Sequence, residues 1–249
     1  MQKKTWAEKL RGLGFYAIIA SAVAFVVSGP GHRFGLMDLG TAFDVTRGAV
    51  GFAALALVAS LVGLLLPSKQ ALAPKLPRTL ATIAIAGLVI FQFYSIRQQF
   101  RAVPPIHDIS TDLVNPPEFV LLAADRANAS NPLAYAGAEV ARQQAVAYAD
   151  IQPLRFSETT PAAVIAAAMA VAQNMGFDPI QSAAEDGRLE ATDTTFWYGY
   201  KDDLIVRALA SGSDVIVDLR SKSRIGQSDL GKNAARIREF SAALQRAMR

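Results

Sequence analysis

The sequence predicts an α-helical membrane anchor of three transmembrane helices, followed by an α+β domain with an antiparallel meander sheet and helices on one face. Residues 1–101 contain three long runs without a charged side chain, a pattern typical of helices that cross a bilayer. Residues 102–249 contain four strand candidates joined by short turns, so successive strands should run antiparallel. Helical patterns precede and follow these strands rather than alternate with them, which indicates the α+β class.

The composition favours a membrane protein, because hydrophobic residues make up 52% of the chain and charged residues only 18%. The chain has no cysteine, which excludes disulfides and thiolate metal sites. Its two histidines, His32 and His107, would need carboxylates to complete a zinc site, and we predict neither a metal nor a cofactor. The formal net charge of +4 is small and belongs in good part to the flanks of the apolar runs, so nucleic acid is not an expected partner.

The uncharged runs predict transmembrane helices at about residues 12–29, 49–67 and 79–96. Trp6 and Tyr16 stand where interfacial aromatic residues are common. None of the runs contains an ionisable side chain, whereas a transporter or ion pathway usually depends on one. We therefore expect a packed anchor whose partner is the lipid bilayer.

The basic residues in the short flanks predict the orientation of this anchor. The N-terminal tail contains Lys3, Lys4, Lys9 and Arg11 against Glu8, and the connector at residues 68–78 contains Lys69, Lys75 and Arg78 against no acid. This bias places the tail and connector in the cytoplasm and residues 102–249 in the periplasm, as in a multi-pass protein of the bacterial inner membrane. Alternatively, residues 3–24 are a cleaved signal peptide, with small-residue sites at residues 20–22 and 22–24, and the C-terminal domain still lies outside.

The domain at residues 102–249 begins with a proline-rich linker that ends as an edge strand at residues 106–111. Asn131-Pro132 predicts the start of a helix that runs to about Tyr148. Thr160-Pro161 predicts a second helix that ends at Gly176, and a third helix is expected at residues 229–248. The strand candidates are residues 179–184, 188–197, 203–210 and 214–221. Within the last strand Val215, Val217 and Leu219 alternate with polar residues, so they should face the helices.

Residues 218–240 read as a strand, a glycine-containing loop and a basic helix. Arg220, Lys222 and Arg224 alternate and should project from one face of the strand. Together with the free N–H groups at Ser228, Asp229 and Gly231, they predict a site for an anionic ligand or lipid headgroup. The alternative interpretation is a solvated strand face whose arginines pair with Asp203, Asp218 or Asp229.

The segment from Gly226 to Lys232 matches the spacing of a phosphate-binding loop, but the match fails at Asn233, where a hydroxyl is needed for the magnesium ion. Nucleotide hydrolysis is therefore not predicted.

His107 and Asp108, with Ser110 and Asp112 close by, invite a catalytic interpretation. Residues three apart in an extended segment point to opposite faces, so this group cannot form a nucleophile and its base unaided. We assign no catalytic residue and keep His107 and Asp108 as secondary ligand candidates. Trp197, in an aromatic run at residues 196–200, is a further contact candidate, although core packing is the favoured explanation of such a run.

Several motifs resemble the family catalogued as domain of unknown function 1499, over about residues 104–249. They are Ile106-His-Asp-Ile-Ser-Thr-Asp112, Asn115-Pro-Pro117, Ala147-Tyr-Ala-Asp-Ile-Gln-Pro-Leu154, Thr195-Phe-Trp197, Arg220-Ser-Lys-Ser-Arg-Ile-Gly-Gln-Ser-Asp-Leu-Gly231 and Asn233-Ala-Ala-Arg-Ile-Arg238. The resemblance implies a bacterial or plastid protein, often attached to a membrane, without an established activity. It also implies that the Ser- and Arg-rich loop and the His-Asp segment are apposed in the fold.

Taken together, these patterns predict a membrane-anchored periplasmic domain that binds an anionic ligand, a lipid headgroup or an envelope protein without chemistry. The alternative is an envelope hydrolase that uses His107 and nearby acids.

Overall fold

The computed structural model describes residues 4–67 and 75–249. The chain divides into two compact units: Met1–Gln99 with Trp197–Gly199, and Phe100–Phe196 with Tyr200–Arg249. Lys3 and Lys69, which contribute to the predicted orientation, lie outside the described residues.

The first unit is built from three helices, α1 (Trp6–Arg33), α2 (Leu39–Leu65) and α3 (Leu76–Ala102), the last of which ends beyond the unit boundary. All three are long and apolar enough to cross a membrane. Each helix contains most or all of a predicted span and is longer than that span. The spans were bounded at charged residues, and a charged residue does not end a helix. α1 begins at a capping box, in which the Thr5 and Glu8 side chains each accept a hydrogen bond from the other's backbone N–H.

Small residues let α1 and α2 pack closely. A Cβ atom at Gly14 would lie 2.2 Å from Ser60 Oγ, and one at Gly63 would lie 2.8 Å from Arg11 Cγ. The Ser21 hydroxyl donates a hydrogen bond of 2.7 Å to the Ala49 carbonyl. Inside a bilayer the hydrophobic effect does not drive helices together, because lipid is as apolar as their side chains. Helices there associate through close van der Waals packing, which small residues allow.

The second unit contains a six-stranded sheet. Its strands are β1 (Asp108–Ser110), β2 (Leu154–Ser157), β3 (Ile180–Ala183), β4 (Arg188–Thr194), β5 (Lys201–Ser211) and β6 (Asp214–Ser223). Its helices are α4 (Ala138–Ala147), α5 (Pro161–Asn174) and α6 (Lys232–Ala247). The strand order is β1-β6-β5-β4-β3, β2 also pairs with β6, and every pairing is antiparallel. The predicted α+β class and the meander from β3 to β6 are confirmed.

Two local predictions were wrong, and one strand was missed. The helix expected from Asn131 begins only at Ala138, because the Asn131 side chain donates to the carbonyls of Ser223 and Gly226 instead of capping a helix. β4 ends at Thr194, and the aromatic run after it belongs to a turn closed by hydrogen bonds between Thr195 and Tyr200. β2 was not predicted, because four residues with two apolar side chains give too short a pattern to recognise.

The apolar face of the sheet packs against α5 and α6. Val215, Val217 and Leu219 are buried there together with Ile165 of α5 and Phe240 of α6. The predicted register of β6 is therefore correct, and this face supplies the hydrophobic core of the second unit.

We expect Val217→Ala to lower the free energy of unfolding of the full-length chain by about 1–3 kcal/mol, because it removes buried methyl groups from a packed core. Ile216→Ala, on the half-buried opposite face of the same strand, is the matched control and should cost less. Chemical denaturation measures both, and an equal loss in the two variants would contradict the register.

Candidate functional site

The sheet face opposite the hydrophobic core is charged. The strand register places three rows of side chains on this face, since alternate residues of a strand point the same way. The rows are Asp108, Lys222, Asp203 and Thr192; Ser110, Arg220, Ile205 and Glu190; and Asp218, Arg207 and Arg188. We call this set, with Arg126 and Arg224, the charged layer.

The charged layer is covered by residues 111–137, which are irregular except for a short 3-10 turn at Ala124–Arg126. Asp108, Arg220 and Lys222 are each 0% exposed to solvent. The interpretation of this strand as a solvated face is therefore wrong, whereas the pairing with Asp203 that it expected is found for Arg224. Charged side chains at such depth have to be paired and hydrogen-bonded, because burying an isolated charge is very costly.

Asp108 compensates two of the buried cations. Arg220 makes a bidentate pair with it, at 2.8 Å from Nε to Oδ1 and 2.9 Å from Nη2 to Oδ2. Lys222 Nζ lies 2.9 Å from Asp108 Oδ2. The resemblance implied that the His-Asp segment and the Ser- and Arg-rich loop are apposed, and the pairing of β1 with β6 confirms it.

The N–H groups that remain on these cations donate to the backbone of the covering segment. Arg220 donates to the Pro117 carbonyl at 2.9 Å and to the Leu133 carbonyl at 3.0 Å. Lys222 donates to the Ala134 carbonyl at 2.6 Å. The two cations thus fasten both ends of the irregular segment to the sheet.

Asp203 is the second centre of the charged layer. It pairs with Arg126 and, through bonds of 2.8 and 2.9 Å, with Arg224. The Thr192 hydroxyl donates to the same carboxylate at 2.6 Å. Arg224 also donates to the Asp125 carbonyl, so this centre holds the middle of the segment.

Glu190 completes the attachment from β4. Its two carboxylate oxygens accept hydrogen bonds from the backbone N–H groups of Val120 and Leu122, each at 2.8 Å. Backbone groups of residues 111–137 thus bond to buried charged side chains, where those of a helix or strand would bond to one another.

Burial also shifts the protonation of this layer. It lowers the pKa of Lys222, which the charge of Asp108 opposes. It raises the pKa of Tyr135 to about 12, and the Asp108 carboxylate adds to that rise. The Tyr135 hydroxyl has no hydrogen-bond partner among the described residues and stays protonated at neutral pH.

The N-terminus of α6 is occupied by the chain's own side chains. Asp229 accepts hydrogen bonds from the N–H groups of Gly231 at 2.8 Å and Asn233 at 2.6 Å, and Ser228 Oγ accepts one from Leu230 at 3.3 Å. Burial raises the pKa of Asp229, while its two backbone hydrogen bonds oppose the rise. An internal carboxylate thus stands where the sequence predicted an external anion.

The structure also separates the two halves of the predicted anion site. Arg220 and Lys222 lie on the charged face of β6, whereas Ser221 points to the opposite face and donates to Asn233 of α6 at 2.7 Å. Arg224 lies just past the strand and meets Asp203. The cations and the helix N-terminus therefore do not converge on one ligand position.

The remaining candidates are dispersed. His107 Nδ1 lies 3.4 Å from the Gln227 carbonyl oxygen, while the Ser110 hydroxyl donates to the Asp112 carbonyl at 2.8 Å. His107 and Ser110 are therefore each engaged with a backbone carbonyl and do not form a nucleophile–base pair. Trp197 belongs to the first unit, where its ring stacks on Phe25 with centroids 5.4 Å apart.

Sequence reasoning missed Arg126 and Glu190. Glu190 alternates with apolar residues in β4, which was a signal that it faces away from the hydrophobic core. Arg126 stands in an irregular segment, and no periodicity in the sequence indicates its burial.

We expect Asp108→Asn to lower the free energy of unfolding of the full-length chain by about 3 kcal/mol or more, because it leaves two buried cations without a compensating charge. Asp150→Asn is the control, since Asp150 forms a largely exposed pair with Arg238 and its loss should have little effect. Denaturation curves for the two variants separate these cases. Similar stability of both would show that Asp108 does not hold the charged layer together.

A comparison with protein families matches residues 108–244 to the family described as "Protein of unknown function (DUF1499)". No curated protein matches the chain. The matched region covers more than half of the sequence and includes all six strands, the charged layer and most of α6. The chain therefore belongs to the DUF1499 family.

Proposed function

We propose that this chain is a bacterial inner-membrane protein whose C-terminal unit lies in the periplasm and binds a protein of the envelope without chemistry of its own. The proposal is supported by the way in which the charged layer holds residues 111–137 in place. Its buried cations and carboxylates bond to one another and to the backbone of residues 111–137. The domain thereby holds a long irregular segment on a rigid scaffold, which is how proteins commonly present a binding surface.

The outer side of this segment suits a protein partner. Val114 is 95% exposed and Val120 is 57% exposed, and both are apolar. The N–H group of Val120 is fixed by Glu190 and that of Val114 by Asp112. A backbone that is already ordered loses less conformational entropy on binding, so exposed apolar side chains on it contribute more to affinity.

The charges on this surface favour a protein over an anionic ligand. The exposed charged residues of the segment are Glu118 and Asp125, and its basic residue, Arg126, is buried. An anionic ligand or lipid headgroup would be repelled there. The geometry does not favour the hydrolase alternative, because Asp108 is paired with Arg220 and Lys222 while His107 lies against the Gln227 carbonyl.

The proposed location predicts the behaviour of a topology reporter. An alkaline phosphatase fused after Arg249 should be active, and a fluorescent protein that folds only in the cytoplasm should be dark at the same position, because the basic flanks keep the N-terminal tail inside. The reverse pattern would place the C-terminal unit in the cytoplasm.

The proposed surface predicts a position-specific crosslink. A photo-crosslinking amino acid at Val114 or Val120 of the full-length protein in cells should give one discrete protein adduct. The double substitution Glu118→Lys with Asp125→Lys reverses the charge of this surface and should reduce the yield of that adduct severalfold. Val146, which is 88% exposed on α4, is the matched control and should not give that adduct. An identical adduct from Val146, or adducts to lipid alone, would contradict a protein-binding role for this segment.

A further inference from the structure

A basic pocket lies at one end of the helical unit. Its volume is about 140 Å³. A single water needs a volume of only about 10–15 Å³, so the pocket can hold a larger group. Among the described residues that line it are Lys4, Arg11, Lys75 and Arg78, against a single carboxylate from Glu8. The lining therefore has an excess of positive charge, whichever cation stands nearest to Glu8.

The pocket lies at the level where the apolar spans begin. Arg11 is the last charged residue before the uncharged run at residues 12–29, and Arg78 is the last before the run at residues 79–96. On both helices the pocket thus marks the boundary between the hydrocarbon core and the polar headgroup region. Tyr16, which also lines the pocket, and nearby Trp6 are 70% and 74% exposed, as expected of side chains at this interface.

Two of the cations are held in place by the helices. Arg11 is only 4% exposed, and its Nη1 donates to the Gly63 carbonyl of α2 at 2.7 Å. The Arg78 guanidinium stacks over the Phe15 ring of α1, 4.7 Å from the centroid. The pocket is therefore built between helices, and the first turns of α1 and α3 add the positive ends of their dipoles.

We propose that this pocket binds the phosphate of an anionic phospholipid whose acyl chains run along the apolar part of α1. Basic pockets between transmembrane helices are suited to such headgroups. A phosphodiester with no second charge would be held by the excess of cations, whereas the ammonium group of a zwitterionic lipid would be repelled. The apolar ring of Phe15 in the lining favours a lipid over free inorganic phosphate.

Native mass spectrometry of the full-length protein, released from micelles that contain equal amounts of phosphatidylglycerol and phosphatidylcholine, tests this assignment. The wild-type chain should retain phosphatidylglycerol in preference. Lys75→Gln with Arg78→Gln should reduce its retention about tenfold or more, since two charges are removed from the site. Arg97→Gln with Arg101→Gln removes the same charge from the other end of α3 and should retain phosphatidylglycerol like the wild type.

Equal retention in the two double variants, or equal retention of the two lipids by the wild type, would overturn the proposal. Displacement of phosphatidylglycerol by millimolar inorganic phosphate would assign the pocket to a free anion instead. Lys75→Gln alone should show a smaller loss in the same direction, so the proposal stays testable if the double variant does not fold. None of these outcomes depends on the envelope partner of the C-terminal unit.

Discussion

The second unit depends on one electrostatic constraint: buried Arg220 and Lys222 must share the single carboxylate of Asp108. Moving charges out of water is costly, and the cost is offset only when each charge has close partners and its remaining N–H groups are bonded. Asp108 supplies the opposite charge. The carbonyls of Pro117, Leu133 and Ala134 supply the remaining acceptors. The covering segment is therefore required for the burial of these two cations.

Buried cations are compensated by carboxylates over the whole charged face. Among the ion pairs that the described residues form there, six cations meet four carboxylates of the charged layer and one, Asp112, of the covering segment, so these charges nearly balance. They are Arg126, Arg188, Arg207, Arg220, Lys222 and Arg224 with Asp108, Asp112, Glu190, Asp203 and Asp218. Buried ion pairs add little net stability compared with apolar packing, whereas a broken pair is strongly destabilising. We infer that the apolar face with α5 and α6 stabilises the unit, while the charged face fixes one conformation of residues 111–137.

Much of the fold follows from local patterns. The three apolar runs, the meander from β3 to β6 and the inward face of Val215, Val217 and Leu219 depend on periodicity and turns within short windows, and the structure agrees with them. The alternation of Arg220 and Lys222 also placed them correctly on one face. Their burial was not predictable in this way, because it depends on a covering segment without periodicity and on Asp108, which is 112 residues from Arg220 in sequence. Asn131 shows the same limit. Its side chain donates to the Ser223 carbonyl at the end of β6 and does not cap the helix that the neighbouring sequence predicts.

We expect the buried charged side chains to order residues 111–137 as firmly as the hydrogen bonds of a regular element would. Amide hydrogen exchange in the wild-type full-length protein tests it most directly. The N–H groups of Val120 and Leu122, bonded to Glu190, and of Ala136, bonded to Asp108, should exchange as slowly as amides inside β5 and β6. Exchange as fast as in the exposed turn at residues 212–213 would show that the charged layer does not order this segment.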